Sequence, residues 1–269
     1  MKLPAPTDDP RPINIPMLDR PPLSLALAAL RNTVAIEHPR QHLEWAAAGG
    51  FRWITLDAAT PGFRPRELDR SARRDLAALL RRLELGLMGI DLWIPPEHFA
   101  DAEHAERAVD AALSAIDLTA DLAGLNQSER VLSLSLPRDR DDAASAIGAI
   151  ASRADSRSVE IADHTWPPPD AGVAGSIRVG LDPAVLLLAG DNPAKAAARM
   201  GERLAVARLS DASDIGRVAP GGRDGRLNDL AYVVALDAAK YRRPVVLDAR
   251  GLTAPSEAAA KALAWWTNT

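Results

Sequence analysis

Residues 179–190 read VGLDPAVLLLAG, a short apolar run that ends in an acid, Asp182, and continues into a second apolar stretch. The first part has the length and composition of a buried β-strand, and the residues after Asp182 are interpreted as a loop. Functional groups of α/β proteins lie at the carboxyl ends of the strands. The stretch therefore raises the question of whether other strands of this chain end in the same way.

Seven further apolar runs alternate with segments of helical periodicity. Strands that alternate with helices form a parallel sheet, and eight such units in about 250 residues favour a closed (β/α)8 barrel. An open doubly wound sheet is the alternative, but no GxGxxG follows the first strand. The predicted strands are 23–30, 51–58, 85–95, 130–137, 158–163, 177–182, 204–211 and 244–250, and the predicted helices are 39–50, 66–85, 104–123, 141–154, 192–204, 227–243 and 254–268.

Two proline-rich segments depart from this alternation. Residues 1–22 cannot form a helix or a central strand, because proline lacks a backbone donor, so we expect an extended N-terminal arm. Residues 23–269 are then a single barrel domain. Residues 164–176 contain three consecutive prolines, so the connection between strands five and six is predicted to lack a regular helix.

The composition excludes several classes of function. The 269 residues include no cysteine, which rules out disulfides and thiol catalysis. The net charge of −4 gives no sign of the basic surface that nucleic acid binding requires. No apolar run reaches the length of a membrane span, so we expect a cytoplasmic protein without membrane contact. The arginine-rich stretch 70–82 is interpreted as the solvated face of an amphipathic helix rather than as a patch for an anion or a partner.

Polar residues follow most of the predicted strands. Because the carboxyl ends of parallel strands meet at one face of a barrel, we expect these side chains to converge on a polar ligand pocket. The alternative is that they cap helices and form salt bridges in loops. The residues are Asp57, Asp91, Trp93, Asp163, His164, Asp182, Arg208, Asp211, Asp248 and Arg250, with His98 in the loop after strand three.

The order of several local strings resembles that in the xylose isomerase-like barrels, the sugar phosphate isomerase/epimerase family. The resemblance covers roughly residues 23–266. The similar strings are AAAGGFRWITLDA (46–58), VGLDPAVLLLAGDNP (179–193), LAVARLSDA (204–212), APGGRDGRLN (219–228) and YRRPVVLDARG (241–251).

This resemblance implies isomerisation or epimerisation of a sugar through an enediolate, with two glutamates moving protons and a divalent manganese, cobalt or magnesium polarising the substrate oxygens. The family's metal ligands are Glu, Asp, His and Glu on strands five to eight. Only the strand-six position, Asp182, matches cleanly. The strand-five Glu falls near Ala162, with Glu160 or Asp163 as substitutes, and Val185 stands where the family has a histidine after the strand-six Asp. On strand seven, Arg208 replaces the histidine while Asp211 remains. On strand eight, Asp248 replaces the last Glu.

These departures predict a degenerate metal site. A guanidinium cannot ligate a cation, so we expect Arg208 to replace the metal's charge and to pair with Asp182 or Asp248. No cofactor is expected. If a divalent metal is bound, its ligands are predicted to be Glu160, Asp163, Asp182 and Asp248.

The sequence thus predicts a barrel that acts on or binds a small sugar or sugar phosphate. Isomerase activity is left open, and a non-catalytic barrel that binds a carbohydrate or a partner is the alternative; a homo-oligomer is also left open. The predicted catalytic residues are Asp182, Asp248 and His164. The predicted substrate-binding residues are Asp57, Trp93, His98, Arg208, Asp211 and Arg250.

Overall fold

The computed structural model describes residues 19–31, 38–169 and 175–268. Within them, eight parallel strands pair in sequence order, and the last pairs with the first to close a barrel. The predicted (β/α)8 barrel is thereby confirmed. Its strands are β1 (Leu23–Ala26), β2 (Trp53–Asp57), β3 (Gly86–Asp91), β4 (Val131–Leu134), β5 (Glu160–Asp163), β6 (Ile177–Leu181), β7 (Leu204–Leu209) and β10 (Val245–Leu247).

Helices of the described residues surround the barrel. Several begin where the sequence supplies a capping side chain: Asp69, Asn192 and Asn228 each accept a hydrogen bond from the backbone N–H three residues later. The α-helices are α1 (Pro39–Ala48), α2 (Arg70–Arg82), α3 (Ala105–Asn126), α4 (Ala144–Arg157), α5 (Pro183–Leu188), α6 (Pro193–Met200), α7 (Asp229–Ala238) and α8 (Pro255–Asn268). Short 3-10 helices span Leu27–Leu30, Pro65–Glu67, Pro96–Phe99 and Gly201–Arg203.

The structure corrects the prediction after strands six and seven. Asp182 is followed directly by helix α5 and not by a loop, because its carboxylate caps the backbone N–H of Ala184 and Pro183 occupies the first helical position. Strand β7 ends at Leu209, and an antiparallel hairpin of β8 (Asp211–Ser213) and β9 (Gly216–Val218) follows it. This hairpin brings Arg217 back over the end of the barrel.

The other predicted strands and helices that fall on described residues are present, several of them shorter than predicted. The first predicted strand is shorter than expected, since β1 ends at Ala26 and a 3-10 helix takes the rest. Between β5 and β6, the described residues 164–169 and 175–176 contain no helix. The predicted arm lies outside the description up to residue 18.

Two buried clusters show which face of each strand points inward. A large cluster contains the residues that pack strands against helices, and a small separate one joins Met88, Val131, Ala162, Val206 and Val246 inside the barrel. Side chains two residues apart lie on the same face of a strand. His164, Arg208 and Asp248, each two residues beyond a member of the small cluster, therefore extend that interior toward the carboxyl end.

No helix within residues 19–31, 38–169 and 175–268 combines the length and the apolar character needed to cross a bilayer.

Candidate functional site

The carboxyl end of the barrel, called the mouth here, is organised around Arg208 on β7. Its side chain is completely buried and donates from Nη2 to Asp91 Oδ1 at 2.5 Å and from Nη1 to Asp248 Oδ2 at 3.3 Å. The predicted pairing with Asp248 is confirmed. The mouth is defined by Asp91, Trp93, His164, Asp182, Arg208, Ser210, Arg217, Asp248 and Arg250.

Two further arginines, Arg250 and Arg217, contact carboxylates of the mouth. Arg250 donates from Nε to both oxygens of Asp248, at 2.9 and 3.0 Å, and from Nη2 at 2.5 Å. Arg217, delivered by the β8–β9 hairpin, donates to Asp182 Oδ2 at 3.1 Å and lies 3.5 Å from Asp248 Oδ2. Asp182, the other partner expected for Arg208, thus pairs with Arg217.

Asp182 is held from both sides. Its Oδ1 accepts from the Ser210 hydroxyl at 2.5 Å and from the Ala184 N–H that starts α5 at 3.1 Å. The predicted catalytic carboxylate therefore also caps a helix, the alternative that the sequence left open for strand-end acids.

Trp93 and His164 form the aromatic part of the mouth. The guanidinium carbons of Arg250 and Arg208 lie 3.7 and 4.8 Å from the centre of the Trp93 ring. The His164 ring meets Trp93 edge to face, with centroids 5.4 Å apart. Gly180 makes room for that ring, since a Cβ there would lie 2.4 Å from Nε2. Cation–π contacts therefore couple Trp93 to two of the mouth arginines.

Burial and the guanidiniums of the mouth oppose each other, and the pKa values of its two fully buried acids shift in opposite directions. Burial alone would raise the pKa of Asp248, but the guanidiniums of Arg250, Arg208 and Arg217 bring it well below its usual range. Burial raises the pKa of Asp91 despite its bond to Arg208. Burial, together with the charges of Arg208 and Arg250, lowers the pKa of His164 well below its ordinary value, so this imidazole is neutral at neutral pH.

The mouth holds buried polar atoms that make no hydrogen bond with any described residue. Buried polar groups of folded proteins are nearly always paired, so such a group points to a bound partner, water or ligand. Their concentration around Arg208 marks the mouth as a place where a polar molecule would be accommodated. The atoms are Asp91 Oδ2, Trp93 Nε1, both ring nitrogens of His164, Arg208 Nε and Arg217 Nη2.

The donor set of the mouth does not fit a divalent metal. Asp91, Asp182 and Asp248 each accept from at least one guanidinium, and a hard dication next to three arginines would meet strong repulsion. Across the described ranges, no three or more His, Asp or Glu side chains are grouped as a metal site requires. The metal that the resemblance implies therefore finds no suitable ligands among these residues.

The carboxylates of three other strand-end acids accept hydrogen bonds from nearby side chains and backbone N–H groups that stabilise the adjoining loops. Asp57 accepts from Arg31 and Thr60, and Asp163 accepts from Arg140 and from two backbone N–H groups. Asp211 accepts three backbone N–H groups, two of them from the glycine-rich loop, and burial raises its pKa against these bonds. These contacts match the capping and salt-bridge alternative of the sequence analysis.

Glu160 lies away from the other predicted site residues, whereas His98 shares a cavity with Trp93. Glu160 is on the same strand face as Ala162 but at the amino end of β5, where its carboxylate accepts from Arg243 Nη1 at 2.8 Å. A ligand set that joins Glu160 to Asp182 is wrong, because β5 separates it from the mouth. His98 stacks on His104 at 4.4 Å and lines a cavity of about 350 Å³ beside Trp93.

Sequence reasoning missed two residues of the mouth, Ser210 and Arg217. It placed a third, Asp91, among the strand-end acids expected to converge on a pocket but gave it no catalytic or binding role. Ser210 and Arg217 carried no signal of their own. Only the unpredicted hairpin brings Arg217 to Asp182.

Comparisons with known proteins agree with the fold. No protein-family model matches the chain, and no curated protein matches it. A xylose isomerase domain protein from Planctomyces limnophilus aligns with a TM-score of 0.71 and 16% identity, over 93% of this chain and 96% of that chain. For the 3-keto-D-glucoside 4-epimerase from E. coli, the TM-score is 0.68 and the identity 14%, over 92% and 99% of the two chains.

A xylose isomerase-like TIM barrel protein from Mycobacterium smegmatis, solved in complex with magnesium, aligns with a TM-score of 0.67 and 14% identity over 92% of this chain and 96% of that chain. At such identities a structural match establishes the fold and leaves the activity open. The chain has the fold of the xylose isomerase-like TIM barrels, as the resemblance predicted.

Proposed function

We propose that the mouth binds a small anionic sugar derivative, a sugar acid or a sugar phosphate, without a divalent metal. The observation that carries this proposal is the group of buried polar atoms without hydrogen-bond partners around Arg208. A sugar derivative supplies hydroxyl donors and acceptors for atoms of this kind, and its anionic group is matched by guanidiniums. The sugar named for the E. coli neighbour lends the sugar class further support.

Within this proposal, Arg250 and Arg217 bind the anionic group. Their side chains are 27% and 21% exposed, whereas Arg208 is completely buried, so they are the mouth guanidiniums that solvent reaches. Arg208 holds Asp91 and Asp248 in place, and Trp93 offers its indole N–H. Asp57 and Asp211, predicted to contact substrate, are assigned to the support of loops.

The proposal contains no metal, because the carboxylates that would hold one are bound to arginines. Binding should therefore survive chelation. Added manganese, cobalt or magnesium should leave the affinity unchanged.

Calorimetric titration of uronic acids, aldonic acids, sugar phosphates and neutral sugars in the presence of EDTA tests the binding. We expect an anionic sugar to bind and its neutral counterpart to bind more weakly. Arg250→Gln should weaken binding at least about tenfold, since charge-assisted hydrogen bonds contribute roughly 1.5–3 kcal/mol. Arg243→Gln, which removes a charge at the opposite end of the barrel, is the matched control.

Binding that appears only after a metal is added would contradict the proposal. Equal losses in the two variants would also contradict it, because they would trace the effect to net charge rather than to the mouth. The absence of binding across the whole panel would leave no role for the unpaired atoms in sugar recognition and would overturn the assignment.

A second candidate function is metal-independent proton transfer on the same sugar, for which His164 provides the specific observation. Both of its ring nitrogens are without hydrogen-bond partners among the described residues. Its lowered pKa keeps it neutral, so one ring nitrogen carries a free lone pair, although burial and the nearby guanidiniums make it a weak base. Asp182 and Asp248, predicted as catalytic, are poorer candidates because guanidiniums hold their carboxylates.

Proton transfer next to a carbonyl can be followed by NMR as exchange of a carbon-bound hydrogen in D2O. If this function holds, a bound ketose or aldose derivative exchanges, and His164→Asn abolishes exchange while binding persists. A ligand that binds without exchange would favour the non-catalytic alternative.

A further inference from the structure

A large cavity lies on the outside of the barrel, away from the mouth. It has a volume of about 770 Å³ and lies where the start of α2 meets the ends of α3 and α4. We call it the arginine groove. It is lined by Leu68, Asp69, Arg70, Arg73, Arg74, Ala120, Asp121, Gly124, Leu125, Arg130, Ser156, Arg157 and Ser158.

Two guanidiniums of the groove are fixed in position. Arg73 Nη1 and Arg157 Nη2 donate to the two oxygens of Asp121, at 2.5 and 2.6 Å. Arg73 also donates from Nε to the Leu68 carbonyl, and Arg157 Nε lies 3.1 Å from Asp117. Because neighbours hold these side chains, binding an anion would cost little of their conformational entropy.

Three guanidiniums of the groove remain unpaired by carboxylates. The side chains of Arg70 and Arg74 make no hydrogen bond or ion pair with any described residue, and both residues are exposed. Arg130 reaches only the Arg157 carbonyl, at 3.4 Å. The lining thus holds five arginines against two aspartates, and one of these, Asp69, is engaged in capping α2.

The groove is lined by residues of α2, α3 and α4 and of the segments beside them, whereas an ordinary solvated helix face belongs to one helix. Its floor includes Ala120 and Gly124 of α3, and a Cβ at Gly124 would meet no atom within 4 Å, so the space above α3 is open. Guanidiniums approach this space from α2, from the residue before β4 and from the end of α4. A planar guanidinium fork matches the oxygens of a phosphate group, and several forks around one cavity suit several such groups.

We propose that the arginine groove binds a small ligand that carries two or more linked phosphate groups. Arg70 and Arg74, which have no carboxylate partner among the described residues, receive one phosphate, and Arg73 Nη2 and Arg157 Nη1, which Asp121 leaves without an acceptor, contact the next. The site is independent of the mouth and of the function proposed for it. It also gives the arginine-rich stretch 70–82 a role beyond a solvated face.

Calorimetry with inorganic orthophosphate, pyrophosphate and tripolyphosphate tests this site on the full chain. We expect affinity to rise with the number of phosphates, and Arg70→Gln/Arg74→Gln to weaken pyrophosphate binding at least tenfold. Arg40→Gln/Arg82→Gln is the matched control, because it removes two exposed arginines, one of them on α2, that do not line the groove. Since Arg70 and Arg74 have no described partners, the fold should tolerate their replacement, which circular dichroism checks.

Either of two results would overturn the proposal. One is the absence of pyrophosphate binding at low salt; the other is an equal loss in the two double variants, which would mean that long-range charge alone attracts the anion. Sugar-acid binding at the mouth should be the same in both double variants, so the failure of one site can be told from the failure of the other.

Discussion

The two ends of the barrel use arginine in different ways. At the amino end, Arg243 donates to Glu129 and Glu160, both at 2.8 Å, and to the Ala205 carbonyl at 3.0 Å, while its side chain stays 24% exposed. At the carboxyl end, Arg208 is completely buried and its Nε has no acceptor among the described residues. The Arg243 guanidinium at the amino end thus has three hydrogen-bond acceptors. At the mouth, six buried polar atoms lack hydrogen-bond partners among the described residues, and the proposed binding site rests on them.

The largest expected effect is the difference in stability between variants that remove Arg208 at the mouth and Arg243 at the amino end. Arg208→Met leaves Asp91 and Asp248 with less compensation in a buried site and should lower the free energy of unfolding by about 3–5 kcal/mol. Arg243→Met leaves two glutamates that are each more than a third exposed, so we expect a loss of about 1 kcal/mol or less. Urea denaturation of both variants measures the difference, and equal losses would mean that the two ends do not differ in this way.

Glycines at the two ends provide the next comparison. In Gly180→Ala the new methyl would lie 2.4 Å from the buried His164 ring, and in Gly86→Ala it would lie 2.5 Å from Trp53, which is only partly buried and free to shift. We expect Gly180→Ala to lower the free energy of unfolding by about 1–3 kcal/mol and Gly86→Ala by less. In the double variant Gly180→Ala/His164→Ala most of the loss should be recovered. Additive losses would show that the methyl meets something other than the ring.

A smaller effect concerns the pH dependence of stability. Because burial and the mouth arginines lower the pKa of His164 in the folded chain, the unfolded chain binds a proton near the ordinary pKa of 6.5 that the folded chain does not. The free energy of unfolding should therefore fall as the pH drops below that value, by at most about 1.4 kcal/mol per pH unit for this one group.

His164→Asn should remove this share of the slope between pH 7.5 and pH 5, measured by urea denaturation at several pH values. Burial also lowers the pKa of His42, so this residue contributes to the pH dependence with the same sign. The variant His42→Asn is therefore the control that separates its contribution from that of His164. A full slope retained in His164→Asn would mean that the ring is not buried as described.

The smallest effect is expected at Glu160. Burial would raise the pKa of the Glu160 carboxyl, but the ion pair with Arg243 outweighs burial and lowers it. Because the side chain is 38% exposed, this ion pair contributes little to stability. Glu160→Gln should change the free energy of unfolding by less than about 1 kcal/mol. Sugar-acid binding should also be unchanged, and a loss of binding in titrations would place Glu160 in the functional site after all.

Much of the fold could be predicted because local signals and the global arrangement agree. Each barrel strand coincides with an apolar run, and helix α1, predicted over 39–50, begins at Pro39 and is capped by Gly49, the usual start and stop signals. Helix α5 escaped prediction because its six residues were interpreted as a loop, although Asp182 and Pro183 are a helix-start signal. The β8–β9 hairpin escaped because its strands are three residues long.

The candidate site was less predictable because its pairings join distant parts of the chain. Strand ends located Asp182, Arg208 and Asp248, but no local pattern says that Arg208 also meets Asp91, 117 residues away. The loop arginines that neutralise Asp57 and Asp163 are likewise visible only in three dimensions. The division into an arm, 1–22, and a barrel domain, and the cytoplasmic location, stay predictions.

The bond between Arg250 and Asp248 gives the mouth an internal competitor. Any anion that binds Arg250 must first take it from a carboxylate of the same chain, so its apparent affinity is its intrinsic affinity multiplied by the fraction of molecules in which Arg250 is released. Each 1.4 kcal/mol by which the internal pair is favoured costs an anion about tenfold in affinity. Under the proposed function, the mouth therefore discriminates against weakly binding anions such as chloride and binds those that also satisfy its other polar groups.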